Sequence, residues 1–245
     1  MRIGVAGVTG VVGAYVEQVA RERGHEVVGL ARSLGVDLTT GAGLAERLVG
    51  VDAVVDVTSI ATQKRRDAEP FFGGVTRTLL EAEQGAGVAH HVALSIVGID
   101  RVPTGYYQGK LHQEQVVVAG AVPWSILRAT QFHEFAQQAL GFARLGPVSL
   151  VPRMQSQPVA AVEVAQALVD LVEAGPAGRA ADLAGPEVHQ MTDLARRVSQ
   201  ARGPHRRVIA VRLPGAAGAA MRDGGLLPVE DGPRGSLTFD AWLAT

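Results

Sequence analysis

The stretch Met1-Arg-Ile-Gly-Val-Ala-Gly-Val-Thr-Gly-Val-Val-Gly-Ala14 decides how the rest of this chain is read. An apolar run at residues 3–6 leads straight into Gly7-x-x-Gly10-x-x-Gly13, and a helical pattern follows. A strand, a glycine turn and a helix start, in that order, predict a pyrophosphate site. Amide N–H groups point at the anion, the helix dipole favours negative charge, and glycines let the backbone come close. Gly7, Thr9, Gly10, Val11, Val12 and Gly13 are the residues expected to hold the phosphates.

Outward from this motif, β-type apolar runs at 2–6, 26–31, 53–58, 91–95 and 124–128 alternate with helical patterns at 14–23, 43–49, 72–84 and 107–119. That rhythm predicts an α/β protein with a Rossmann-type doubly wound parallel sheet, which binds its ligands outside the carboxyl ends of the strands. Gly24, Gly50, Gly87 and Gly120 fall where helices should stop. Past Phe135 the rhythm weakens. Helices are expected at 163–174 and 192–202, with a late strand at 180–184 returning to the sheet. The Gly-, Pro- and Ala-rich stretch 212–235 reads as loops and short helices. The expected division is a nucleotide-binding core at 1–135 and a smaller substrate-binding lobe at 136–245.

Composition narrows the function classes. The 245 residues are 47% apolar, ample for a large core without a metal or disulfide staple. There is no cysteine, which excludes thiol nucleophiles, Cys-ligated zinc and disulfides and fits a reducing cytoplasm. A net charge of −1 and 4% aromatic residues give no general attraction to nucleic acid or anionic membrane and no base-stacking platform. A core strand at the start predicts no signal peptide, and no apolar run reaches the roughly 18 residues of a membrane span. No His/Asp/Glu cluster has metal-ligand spacing, and Ser95 lies outside any G-x-S-x-G elbow. The partner expected is a small-molecule substrate, with no nucleic acid and no membrane; a homodimer is left open.

The nucleotide is read at the end of the second strand, where an acidic residue about 20 positions past the glycines would bond the ribose of NAD. Here that strand ends Leu30-Ala31-Arg32-Ser33, with an arginine and no carboxylate. A guanidinium suits a 2′-phosphate in geometry and charge, so NADP(H) is the expected cofactor, with Arg32 as its reader and Ser33 as a second donor. Asp37-Leu38 either flanks the adenine or begins a short further strand.

A second segment, Tyr106-Tyr-Gln-Gly-Lys110, places Tyr106 and Lys110 four apart on one helix face. An ammonium beside a phenol favours the charged phenolate, and the same lysine can reach a nicotinamide ribose. The pair therefore predicts a general acid/base beside a hydride carrier.

With these segments in place, the chain resembles the atypical, NmrA-like and NAD(P)H-binding branch of the short-chain dehydrogenase/reductase superfamily. The likeness rests on Gly7-Val-Thr-Gly-Val-Val-Gly13, Leu94-Ser-Ile-Val-Gly98, Tyr106-Tyr-Gln-Gly-Lys-Leu-His-Gln-Glu114 and Pro123-Trp-Ser-Ile-Leu-Arg-Ala-Thr-Gln-Phe132. Gln157-Pro-Val-Ala-Ala-Val-Glu-Val-Ala165 and Leu183-Ala-Gly-Pro-Glu187 extend it to about residue 187. The resemblance implies Tyr106 as acid/base, Lys110 as its partner on the ribose, Ser95 at the catalytic strand end, and Thr58 and Ser59 along the cofactor. It also implies that 129–132, with Thr130, pass near the nicotinamide and that Gln131 and His133 face substrate.

One departure stands out. The second Ser or Thr that carbonyl-reducing members carry after this serine is replaced by Ile96 and Val97. His133 is more often a satisfied polar residue, His90 and His91 read as structural, and Lys64-Arg-Arg66 reads as a solvated loop. The leading expectation is an NADPH-dependent oxidoreductase acting on a small carbonyl, enone or quinone-like compound. A redox sensor without turnover, and an isomerase, epimerase or cyclase using the same pocket, stay open beside it.

Overall fold

The computed structural model describes residues 1–203 and 205–245. In chain order its elements are β1 (Arg2–Ala6), α1 (Val11–Glu22), β2 (Glu26–Leu30), α2 (Leu44–Arg47), β3 (Ala53–Asp56), α3 (Arg65–Ala86), β4 (His90–Ile96), α4 (Gly105–Ala119) and β5 (Trp124–Ala129). There follow α5 (Phe135–Phe142), β6 (Arg144–Leu145), β7 (Val148–Pro152), β8 (Gln155–Ser156), α6 (Ala161–Ala174) and β9 (Gly178–Arg179). The chain ends with β10 (His189–Gln190), α7 (Met191–Arg202), β11 (Arg207–Val211), α8 (Gly215–Arg222) and α9 (Phe239–Leu243). Among the described residues no helix is long and apolar enough to cross a membrane.

The chain forms two compact units. The first comprises Met1–Ser95, Thr104–Arg128 and Ala161–Ala181; the second comprises Ile96–Pro103, Ala129–Ala160 and Asp182–Thr245. The single division expected at 135 is replaced by an interleaved one, because α6 packs on α1 and so belongs with the first unit.

In the first unit the strands run β2-β1-β3-β4-β5-β9, and β2, β1, β3 and β4 pair in parallel, as do β5 and β9. This is the Rossmann-like α/β fold. β1 and β3 are almost wholly buried, as expected of parallel strands covered on both faces. The chain leaves β1 toward β2 on one side and then crosses to β3 on the other. The β1/β3 edge is thus the topological switch point, where such sheets open a crevice.

Two glycines shape that crevice. Gly7 has φ +85°, a left-handed conformation, and a side chain there would lie 3.0 Å from the Val57 carbonyl oxygen. At Gly13 a Cβ would collide with the Gly7 carbonyl oxygen and lie 2.7 Å from Val8 Cα. α1 therefore seats directly on the turn that feeds it.

Several expected elements differ in extent. α3 begins at Arg65, well before the apolar pattern at 72, and carries Pro70 within its second turn. The Lys64-Arg-Arg66 segment is accordingly the exposed N-cap and first turn of a helix, where Arg65 pairs with Glu69 at 2.8 Å. Asp37 and Ala42 form a single antiparallel bridge that closes a turn, so no strand starts at Asp37. The late strand expected at 180–184 is the shorter Gly178–Arg179 beside β5, and Leu183 and Ala184 make only isolated bridges.

The second unit holds a three-stranded sheet ordered β11-β7-β6 and the antiparallel pair β10-β8. α5 and α7 pack on β7. Neither β7 nor β11 was expected from the sequence. Within 212–235 the expected short helix is α8.

A Gly13→Ala variant forces backbone to move rather than a side chain. We expect a loss of about 1–3 kcal/mol, a Tm drop of roughly 2–4 °C for each kcal/mol. Gly10→Ala, whose Cβ would meet only the Gly7 oxygen at 3.3 Å, should shift Tm much less in the same thermal unfolding experiment.

Candidate active site

At the carboxyl ends of β1, β2 and β3 lies a cavity of about 500 Å³ lined by Gly7, Thr9, Arg32, Asp37, Thr58 and Ser59, with Leu30, Val36, Leu38, Phe71 and Val75 among its apolar walls. Gly10 is the N-cap of α1 and makes no side-chain cap. The first-turn amides of Val11, Val12 and Gly13 have no acceptor within the helix. The cavity size suits a small-molecule cofactor. The glycine turn, where side chains cannot fit, meets the backbone requirement of a pyrophosphate cradle.

Arg32 sits in a 3-10 turn, Arg32–Leu34, immediately after β2, and its side chain reaches the cavity wall. Ser33 lies on the same turn but is exposed and does not line the cavity. Across the cavity stands Asp37, whose Oδ1 accepts from the Thr39 amide at 2.8 Å and the Thr39 hydroxyl at 2.5 Å. Those two donors, helped by Arg32, hold its carboxyl below the usual carboxylate range.

Tyr106 lies in the first turn of α4. Thr104 caps that helix by accepting from the Tyr107 amide. The Tyr106 hydroxyl is 2.9 Å from Ser59 Oγ, so the phenol is tied to a residue that lines the cavity. Burial pushes the phenol pKa up, and the Ser59 hydrogen bond only partly opposes it.

The structure corrects the expected Tyr106–Lys110 partnership. Lys110 is 4% exposed, and its ammonium donates to the Leu94 carbonyl at 2.6 Å and to Gln113 Oε1. Burial brings its pKa down to about 8, with Asp56 and Glu114 partly offsetting the loss. Phe72 contacts both groups: Lys110 Nζ lies 4.9 Å from its ring centre and the Tyr106 ring packs edge-on at 5.4 Å. Tyr106 and Lys110 make no hydrogen bond with one another. Sharing a helix face did not pair them, because Lys110 is claimed by the β4 backbone and Tyr106 by the loop after β3.

Ser95 is likewise corrected. Its hydroxyl donates to Glu114 Oε1 at 2.6 Å. Glu114, buried on α4, is also gripped by the Arg128 fork, with two bonds of 2.8 Å, and by Arg179 at 2.6 Å. Burial works against charge on Glu114, but these donors outweigh it and keep its pKa low. Ser95 thus serves an ion cluster joining α4 to β5 and β9.

Sequence reading missed Asp56. Fully buried at the end of β3, it accepts from the Thr58 amide at 2.9 Å, from Thr58 Oγ1 at 2.7 Å and from Gln113 Nε2 at 2.7 Å. Its only signal in the sequence is a carboxylate within an otherwise apolar strand. His90 bonds Ser125 and His91 bonds Glu83, both buried, in keeping with a structural reading.

Thr130, Gln131 and His133 belong to the second unit, and each is engaged there. The Thr130 hydroxyl donates to the Gln157 carbonyl at 2.5 Å, and Gln131 Oε1 accepts from Ser156 at 3.0 Å. The His133 ring is fully buried, lies 3.0 Å from the Leu237 carbonyl and packs against Phe239 and Trp242 of α9. It is an anchor for the last helix, and the expectation that it faces substrate is corrected.

A family model described as NAD(P)H-binding matches residues 33–174, more than half of the chain. The protein belongs to that NAD(P)H-binding family, in agreement with its resemblance to atypical short-chain dehydrogenases/reductases, and its cofactor is a nicotinamide dinucleotide. No curated protein matches the chain in sequence. Among solved structures it is similar to a short-chain dehydrogenase/reductase superfamily protein from Agrobacterium tumefaciens with bound NAD, at 19% identity and TM-score 0.69, covering 100% of this chain and 95% of that one. It is also similar to a new type of NADPH-dependent quinone oxidoreductase from Escherichia coli, at 18% identity and TM-score 0.67, covering 99% and 98%. A nucleoside-diphosphate-sugar epimerase from Staphylococcus aureus shares 15% identity at TM-score 0.67, covering 100% of both chains. At these identities the likeness is one of fold.

If Ser95 holds Glu114 and does no chemistry, Ser95→Ala should cost about 1.5–3 kcal/mol, the worth of a hydrogen bond to a charged group. Chemical denaturation checks the loss, and cofactor affinity by fluorescence titration should stay within about twofold of wild type.

Proposed function

We propose that the protein is an NADPH-dependent oxidoreductase that reduces a small carbonyl, enone or quinone-like compound, with Tyr106 as proton donor. The observation that carries this reading is the 2.9 Å bond between Tyr106 and Ser59 at the wall of the dinucleotide cavity. A nicotinamide cofactor bound in this cavity supplies hydride. The Tyr106 hydroxyl would donate its proton to the substrate oxygen on which negative charge develops during reduction. Ser59 holds the phenol in place and can return a proton to it. Ser59 also provides beside Tyr106 a hydroxyl of the kind missing at Ile96 and Val97. Lys110 acts at a distance, by fixing β4 against α4. Arg32 supports a preference for NADPH, since Asp37, the nearby carboxylate, is already drawn onto Thr39.

A second reading, a redox sensor that binds NADP(H) without turnover, is favoured by one observation. Without Lys110 beside it, the Tyr106 phenol has no cation to make it acidic, and its pKa lies above the ordinary value of 10.0.

Two experiments separate these readings. A screen of carbonyl and quinone compounds with NADPH should reveal turnover that Tyr106→Phe abolishes while NADPH affinity stays nearly unchanged. The pH profile should carry no loss from Tyr106 below about pH 10, because a raised phenol pKa keeps the acid form loaded through neutrality. NADPH binding without turnover of any compound supports the sensor. Separately, Arg32→Gln should weaken NADPH by at least about tenfold, the scale of one charged hydrogen bond, and leave NADH unchanged. Equal losses for both nucleotides would remove Arg32 as the phosphate reader.

A further inference from the structure

The second unit contains a cavity of about 360 Å³ whose wall includes Arg153, Arg196, Arg212 and Arg222, together with Gln190 and Thr192. Its geometry follows from one strand pair. β7 and β11 run parallel in register, with Val151 opposite Ala210 and Pro152 opposite Val211, and the Arg153 amide bonds the Val211 carbonyl at 2.9 Å. Arg153 and Arg212 therefore leave the carboxyl ends of neighbouring strands side by side. Like charges placed so close repel one another. Among the described residues neither pairs with a carboxylate. Arg196 is balanced by Asp193 at 2.6 Å, and Arg222 donates to the Leu213 carbonyl at 2.9 Å.

Two further donors converge on the same space. Thr192, in the first turn of α7, is 5% exposed yet lines the cavity, and its hydroxyl makes no hydrogen bond among the described residues. Gln190, the N-cap of that 12-residue helix, makes no capping bond with its side chain.

We propose that this cavity binds a small molecule through a diphosphate, or through two phosphate groups carried close together. Four arginines from separate elements line it, Arg153 and Arg212 among them without a carboxylate partner. A tetrahedral phosphate accepts hydrogen bonds from all sides, whereas a carboxylate accepts in one plane. The Thr192 hydroxyl, on a residue only 5% exposed, adds a neutral donor of the kind phosphate uses, while the Met191 amide of α7 is already taken by the Met154 carbonyl at 3.0 Å. The volume of about 360 Å³ admits a small metabolite. The inference stands on second-unit residues alone and does not depend on the reaction proposed above.

The test is calorimetric titration of the full-length protein with inorganic pyrophosphate at low ionic strength, with and without saturating NADPH. One equivalent should bind with NADPH saturating, and without NADPH a second can add at the glycine turn. The exposed substitutions Arg153→Gln and Arg212→Gln should each weaken binding at least fivefold and together abolish it, without altering Tm or NADPH affinity. Malonate, a dicarboxylate of similar span, should bind at least tenfold more weakly. No binding at millimolar pyrophosphate overturns the proposal, as does binding unchanged in the double variant. Loss of binding when NADPH saturates would assign the pyrophosphate to the glycine turn instead. Equal affinity for malonate overturns the choice of phosphate. If NADPH itself does not bind, the comparison of wild type with the double variant still decides.

Discussion

The first unit is organised around the Asp56 carboxylate. A buried carboxylate is costly unless its oxygens are filled with donors, and here they are: Thr58 supplies two to Oδ1 and Gln113 one to Oδ2. The first pair folds the chain sharply after β3, which turns Thr58 and Ser59 onto the cavity. The third bond draws α4 toward β3, and Gln113 passes the constraint on to Lys110 and so to the Leu94 carbonyl of β4. β3, α4 and β4 are thereby held in one register. The Ser59–Tyr106 contact, between a loop after β3 and the first turn of α4, is a consequence of that register.

This explains why the fold was far more legible than the site. Period-two and helical spacing are local, so β1 to β5 and the helices between them could be placed within a few residues, apart from the seven-residue earlier start of α3 at Arg65. The roles of Gly7 and Gly13 were legible too, since a strand-to-helix turn that must approach its own backbone leaves no alternative to glycine. The partners of Tyr106 and Lys110 were not. Spacing of i, i+4 states which side chains share a helix face, but not which of them a buried carbonyl or a hydroxyl on another strand will claim. Asp56 looked like a strand residue, and its network joins positions 57 residues apart. β7 and β11 escaped because they pair with each other across more than 50 residues, outside the alternating rhythm that marked the first five strands.

The two serines at strand ends illustrate the same point. Ser95 occupies the position that resemblance marks as catalytic, yet Glu114 needs donors to remain ionised where it is buried, and Ser95 is one of them. Ser59 carries no motif, yet it meets the phenol. Replacing the hydroxyls after Ser95 by Ile96 and Val97 is tolerable in such a site if the proton-handling hydroxyl is supplied from β3 rather than β4. The hydroxyl within hydrogen-bond reach of Tyr106 is Ser59, from the loop after β3.

Nucleotide choice follows a similar logic of competing claims. A single arginine after β2 would favour a 2′-phosphate, but a carboxylate in the same cavity opposes it through simple Coulomb repulsion. What matters is how much of that carboxylate's charge is already committed. Asp37 is locked by the Thr39 amide and hydroxyl, and by the turn closed at Ala42. Arg32, on a 3-10 turn lining the same cavity, makes no side-chain hydrogen bond among the described residues, and its charge acts on Asp37 only at a distance. Selectivity for the phosphorylated cofactor would then reside in the whole turn from Arg32 to Ala42, with Thr39 contributing by keeping Asp37 engaged rather than by touching the nucleotide.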